Sequence, residues 1–278
     1  MIMTTTVPER EYGENFPVAL WILPRDIREH LHTIYQIARM IDDTGDQLAG
    51  DRTAQLLDIR NELSTVWNGE PRTAPMQRLA DTVRACQLPE QPFQELVEAN
   101  LQDQQTSHYP TFDDLVDYCR LSAVPVGRIV LGVFGQTSVE LEQLSDDVCV
   151  ALQLLEHWQD VGEDCRNGRI YLPQEDMATF QVSRSDLLAT AARPRLRELM
   201  LFEIDRAEEL LNRGRPILGR LQGWAQVAVA GYLAGGYSTV AALQRSRGDV
   251  LSQSTEPRRS DIAINLARLL LRPRTEPA

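Results

Sequence analysis

The chain has 278 residues, 43% hydrophobic, with 28 basic side chains against 40 acidic ones, a net charge of −12 and a pI near 4.9. That acidic balance excludes a nucleic-acid binder, which needs a basic face. Every basic residue is Arg, so Schiff-base chemistry and a Lys-bearing phosphate loop are excluded as well.

Read in chain order, residues 1–14 are polar and carry no apolar signal-peptide core. They are expected to be frayed, as are 273–278. Pro24 opens a helix predicted to run past Tyr35 and Arg39 to Asp46. Residues 51–67 and 75–86 read as shorter helices, separated by Asn68-Gly69 and Pro71. A helix over 92–105 follows. Thr111-Phe112-Asp113-Asp114 marks a helix start leading into 115–123. Pro125 kinks or restarts that helix, which continues through Phe134. Residues 138–164 are proline-free, with Leu141, Leu144, Val148, Leu152, Leu155 and Trp158 spaced for one buried stripe.

Gly168-Arg169-Ile170-Tyr171-Leu172-Pro173 reads as a loop. Further helices are expected over 183–190, 195–213 and 224–245, then a polar linker at 256–259 and a short last helix. No alternating strand pattern competes. The weakly polar stretch 225–237 is too short and glycine-rich to span a membrane. Cys86, Cys119, Cys149 and Cys165 form no CxxC pair and read as buried hydrophobes in a reducing compartment. The expectation is one all-α domain over 1–278, cytoplasmic, with at most peripheral membrane contact.

Two acidic motifs stand out. Asp42-Asp43-Thr44-Gly45-Asp46 and Asp160-Val161-Gly162-Glu163-Asp164 each place aspartates at i and i+4. On a helix those carboxylates share one face, one turn apart, and repel. Both motifs end apolar segments rather than polar ones. An all-oxygen set of this density suits Mg²⁺, which is completed by waters and substrate phosphates. Arg39, Arg166 and Arg169, with Tyr35, Tyr118 and Tyr171, would complete a cradle for a metal-bridged diphosphate. Other chemistries lack their signatures. Only His32 follows a Glu, Glu29, by three positions, whereas a di-iron bundle requires such a pair on each of two helices. No Gly-x-Ser-x-Gly elbow is present. Cys119, beside Arg120, reads as a buried thiol rather than a nucleophile.

The chain resembles the squalene and phytoene synthase family. The resemblance rests on Phe16, Pro24, Ile34-Tyr35, Arg39 and Asp42-Asp43-x-x-Asp46. It continues through Tyr118-Cys119, Ala123, Val126-Gly127 and Gln153. It ends on Gln159-Asp160-Val161-Gly162-Glu163-Asp164 and Arg169-Ile170-Tyr171-Leu172-Pro173. Asn15-Phe16-Pro17, Ser122-Ala123-x-Pro125-Val126-Gly127-Arg128 and Tyr171-Leu172-Pro173-x-Glu175-Asp176 are similar to its bacterial hydroxysqualene synthase subgroup. The resemblance implies an isoprenoid synthase helical bundle with a central cavity. It implies Mg²⁺-dependent ionisation of a prenyl diphosphate.

On that resemblance, Asp42, Asp46, Asp160, Asp164, Tyr35, Arg39 and Tyr171 are the expected catalytic residues. Asp43 is added to the metal set, or else it partners Arg39. Asn15, Phe16, Tyr118, Ala123, Val124, Gly127, Gln153, Glu156, Arg169 and Tyr237 are the expected substrate contacts. Phe16, Trp21, Phe134, Trp158 and Tyr237 are candidates for facing a carbocation. Ala123 and Gly127 either make room for a prenyl chain or let two helices pack closely.

Departures from the family pattern are Glu156, where asparagine is usual, Val124, where the subgroup often has asparagine, Gln47, where an acid is common, and a reduced polar cluster before Phe16. The leading expectation is conversion of presqualene diphosphate to a hydroxysqualene-type C30 product. Val124 and Glu156 motivate an alternative, prenyl transfer to a small aromatic acceptor.

Overall fold

The computed structural model describes residues 23–46 and 48–271. Asn15, Phe16, Trp21 and Gln47 lie outside them. Among the described residues there are thirteen helices and no strand, only an isolated bridge between His108 and Ile170.

Helix α1 (Arg25–Asp46) buries Leu31, Ile34, Ile37 and Ile41, the stripe its apolar spacing dictates. Its neighbours α2 (Arg52–Asn68), α3 (Ala74–Cys86) and α4 (Gln91–Asp103) share one core with it, built around Leu56, Leu63, Leu79 and Phe93. Asp51 caps α2 by accepting from the Ala54 amide at 3.0 Å. At α5 (Phe112–Ser122), Thr111 and Asp114 close a capping box, as the sequence predicted. Pro125 sits in the first turn of a new helix, α6 (Val124–Val133), and so restarts the chain rather than kinking it.

The 28-residue α7 (Val139–Arg166) runs through the middle of the second core and packs Leu154, Leu155 and fully buried Trp158 there. Two short helices follow it: α8 (Gln174–Thr179), and α9 (Arg184–Leu187), which is shorter than the expected 183–190. Helix α10 (Pro194–Gly214) packs along α7, with the single turn α11 (Ile217–Arg220) after it. Helix α12 (Gly223–Arg245) and α13 (Arg259–Leu271) complete the bundle. No periodicity announces α8 and α11, pieces of six and four residues entered from Pro173 and Pro216.

One buried charge cluster lies away from the cavity described below. Glu203 on α10 is fully buried, and its Oε1 has no hydrogen-bond partner. Arg206 Nη1 lies 3.5 Å from Glu203 Oε2 and donates to Asp176 Oδ2 at 2.6 Å. The guanidinium also covers the rings of Phe112 and Phe202. Burial, with Asp176 adding to it, pushes the Glu203 carboxyl up to about 8. The folded chain therefore holds that proton more tightly than the unfolded one. Stability is lost as pH rises from the ordinary carboxyl range through 8. Glu203→Gln should remove this loss. Its melting temperature relative to the parent is expected to rise by roughly 4 °C between pH 5 and pH 9, which corresponds to about 1–2 kcal/mol at this size. Parallel melting curves at both pH values would refute the assignment.

Candidate active site

The helices enclose a cavity of about 440 Å³. Its lining comes mainly from α1, α4, α5, α6, α7 and α12, and it is polar at one end and apolar at the other. Along α7 the lining runs from Ser145 to Asp164, roughly 28 Å at 1.5 Å per residue. Asp42 and Asp46 from the C-terminal turns of α1 line the polar end, as do Asp160 and Asp164 from those of α7. Tyr35, Arg39, Arg169 and Tyr171 line the cavity with them. The apolar end is lined by Val130, Leu131, Val148, Ile217, Val229 and Tyr232.

Local geometry explains how each group is held. Gly45 has no side chain, so Asn100 of α4 lies against α1, where a Cβ would meet Asn100 Oδ1 at 2.2 Å. Asn100 Nδ2 then donates to Asp42 Oδ1 at 3.0 Å, and Gln104 donates to the Gly45 carbonyl at 3.1 Å. The loop after α7 turns at Gly168, whose φ of +89° suits glycine. Its Ile170 amide donates to the Ser107 carbonyl at 2.8 Å, pinning the loop to the α4–α5 connection. That places Arg169 Nη1 2.8 Å from Asp46 Oδ1, so one guanidinium ties the loop beyond the second motif to the first.

Behind Arg169 lies a buried polar wall. Tyr118 donates to Asp103 Oδ2 at 2.7 Å, while Asp103 Oδ1 is buried without a partner. Tyr171 stacks on His157 with ring centroids 3.6 Å apart, and the Tyr118 ring lies 5.8 Å from that of Tyr171. Burial, followed by the charge of Arg169, pulls His157 down to about 3, so its ring is neutral. Gln153 Nε2 lies 3.3 Å from His157 Nε2.

The carboxylates are crowded. Burial, then Asp160, pushes the Asp164 carboxyl up to about 7. Burial raises Asp103 to about 6 against the lowering effects of Tyr118 and Arg169, and Asp160 is also raised, by burial and then Glu163. Burial works against the charge of Arg169, but Tyr171, Asp103 and Asp46 raise its pKa overall. The carboxylates at the polar end outnumber Arg39 and Arg169 there, an all-oxygen donor set that fits a divalent ion. No group of three or more ligating side chains converges on one point among the described residues.

Of the expected residues, Ala123, Gly127, Gln153 and Glu156 also line the cavity. Gly127 lines the cavity and lets α6 and α7 pack closely, because a Cβ there would meet Cys149 Sγ at 2.4 Å and Ser145 Oγ at 2.5 Å across their crossing. Other expectations need correction. Asp43, about 100° around α1 from Asp42, is off the lining and pairs with Arg39 Nε at 3.1 Å. Val124 is buried in the core, not the cavity. Tyr237 donates to Asn212 at 2.9 Å, away from the lining, because five residues of helix turn it from the face that carries Tyr232. Phe134 and Trp158 are core packing. Asn100, Asp103 and His157 were not anticipated. Asn100 and His157 signal themselves only as polar residues among apolar neighbours on a helix, and Asp103, in the polar run Gln102-Asp103-Gln104-Gln105, carries no signal.

The sequence profile of the squalene/phytoene synthase family matches residues 9–261. A hydroxysqualene synthase of Sinorhizobium fredii is 32% identical over 212 residues, 75% of this chain and 72% of that protein. A 15-cis-phytoene synthase of Synechococcus elongatus is 32% identical over 216 residues, 73% of this chain and 70% of that one. The crystal structure of squalene synthase HpnC from Alicyclobacillus acidocaldarius superposes with a TM-score of 0.80 at 39% identity, covering 86% of this chain and 90% of that one. A cavity with paired aspartates at one end and an apolar lining at the other, in an all-α isoprenoid synthase fold, agrees with these matches: the chain belongs to the squalene/phytoene synthase family and is a prenyl-diphosphate-utilising synthase.

Proposed function

We propose that this chain ionises presqualene diphosphate and captures the resulting carbocation with water, releasing a hydroxysqualene-type C30 alcohol and diphosphate. The observation that carries the reading is the two-ended cavity, whose charged mouth opens onto an apolar chamber.

Asp42, Asp46, Asp160 and Asp164 are the residues that would hold Mg²⁺. When bound, it supplies Lewis-acid stabilisation to diphosphate oxygens as the carbon–oxygen bond breaks. Arg169, Arg39, Tyr35 and Tyr171 donate to the same oxygens and are in place before the charge develops. The bond breaks heterolytically, and its electron pair leaves with the diphosphate. The chamber beyond excludes bulk water, so the cyclopropylcarbinyl cation rearranges before it is quenched. A new carbon–oxygen bond then forms to one water, and the proton that water loses passes to a carboxylate. Glu156, one turn before Asp160 on α7, lines the cavity and offers that carboxylate.

The aromatic-acceptor alternative loses one of its two supports, since Val124 does not reach the cavity. The test is incubation of the purified protein with Mg²⁺ and presqualene diphosphate in H₂¹⁸O. The expected product is a C30 alcohol carrying ¹⁸O, with one diphosphate released per alcohol. A hydrocarbon as sole product, or no turnover without a second prenyl diphosphate, would overturn the assignment.

A further inference from the structure

Helix α7 carries Gln153, His157, Asp160 and Asp164 in one row. Their spacing keeps all four within about 60° of one another round the helix. All four line the cavity, Asp160 and Asp164 at its polar end. His157 stands between Gln153 and the aspartates, with only 7% of its surface exposed.

The imidazole is clamped, and both of its nitrogens have a neighbour. Tyr171 covers one face, with ring centroids 3.6 Å apart and planes 12° from parallel. Gln153 Nε2 lies 3.3 Å from His157 Nε2. On the other edge of the ring, Nδ1 is 4.0 Å from Asp164 Oδ2. An amide nitrogen only donates, so His157 Nε2 presents a lone pair to it, and the ring carries its one proton on Nδ1. The opposite arrangement, with Nε2–H donating to Gln153 Oε1, would turn a bare Nδ1 lone pair onto the Asp164 carboxylate, acceptor against acceptor. With the proton on Nδ1, the positive end of an N–H dipole lies beside a carboxylate that Asp160, Glu163 and Glu156 all repel. At 4.0 Å this is a charge–dipole contact rather than a hydrogen bond.

We propose that His157 is a positioning residue: a neutral imidazole, protonated on Nδ1, that orients the Asp164 carboxylate and ties it to Gln153 through one clamped ring. The role rests on the reading that Asp164 helps to hold Mg²⁺. A ligating carboxylate works best when its neighbours fix its orientation, and losing such support typically costs about 10–100-fold in metal affinity.

The test has two parts. In the metal-free chain labelled with ¹⁵N-histidine, long-range ¹H–¹⁵N correlation NMR reports which ring nitrogen carries the proton. The chain has four histidines, and His157→Phe identifies the signal of this one. The expected pattern is a protonated Nδ1 and a bare Nε2. A proton on Nε2, or on both nitrogens, would overturn the proposal. In the second part, Mn²⁺ binding in the presence of inorganic diphosphate is followed by electron paramagnetic resonance. His157→Phe keeps a ring to stack on Tyr171 but has neither nitrogen. At equal helix content it should bind Mn²⁺ at least about tenfold more weakly. His157→Asn places an amide N–H at the level of Nδ1 and should recover most of that loss. His157→Gln, whose amide reaches the level of Nε2, should not. Parent-like binding by the Phe variant, or equal rescue by Asn and Gln, would overturn the proposal. A parent that takes up no Mn²⁺ would contradict the metal reading of the aspartates and the role of His157 with it, whereas a loss confined to the Phe variant separates the two.

Discussion

Asp160→Asn should lower turnover by about 10²–10³-fold while leaving the helix content and melting curve close to those of the parent. The carboxylate lines the polar end of the cavity one turn from Asp164, and it helps drive the Asp164 carboxyl up to about 7. In the absence of a bound cation it therefore repels its neighbours, and removing its charge does not harm the fold. Its value lies in the ionisation step, where a preorganised site stabilises charge that appears only as the diphosphate leaves. The expected pattern is a fall in kcat larger than any rise in KM, with more Mg²⁺ needed for half-maximal rate. A rate near that of the parent would remove Asp160 from the site.

Arg169→Gln should be as damaging, for a different reason. Arg169 is the cation nearest Asp46 and acts electrostatically on Asp103, Asp164, Tyr171 and His157. Without it the acidic groups lose their protein-borne counter-charge, and the diphosphate loses a fork-shaped donor. Activity should drop by about 10²-fold or more. Unlike Asp160→Asn, this variant should also melt at a lower temperature, with Mg²⁺ restoring part of the loss because a divalent ion supplies the missing positive charge. Arg169→Lys keeps the charge but not the planar fork, and it should recover stability better than activity. Full activity in the Lys variant would show that only charge matters at this position.

Much of the fold is legible because its signals are local. Pro24, Asp51, Thr111 with Asp114, and Ser138 are helix starts whose chemistry lies within four residues of the cap. Helices α8 and α11, six and four residues long, are too short for any periodicity to register. The aspartate pairs are legible for the same local reason, since i,i+4 spacing fixes a shared face wherever the helix goes.

The rest of the site depends on which helix crosses which. Asn100 reaches Asp42 only because Gly45 leaves room for α4, and Asp103 meets Tyr118 only through the packing of α4 on α5. The misplacements have equally local causes. Asp43 and Tyr237 sit within a turn or two of residues that do line the cavity, but helical rotation carries them off it. Val124 sits beside Ala123 and turns into the core instead.

The central claim is that the carboxylates of α1 and α7 together receive one diphosphate. A crystal of the chain grown with Mn²⁺ and a non-hydrolysable prenyl thiodiphosphate tests it directly. The account predicts anomalous manganese peaks beside Asp42 or Asp46 and beside Asp160 or Asp164, with the thiodiphosphate between them, near Arg169, and its prenyl chain running toward Val130 and Tyr232. Manganese on only one of the two helices, or a prenyl chain bound outside the cavity, would contradict it.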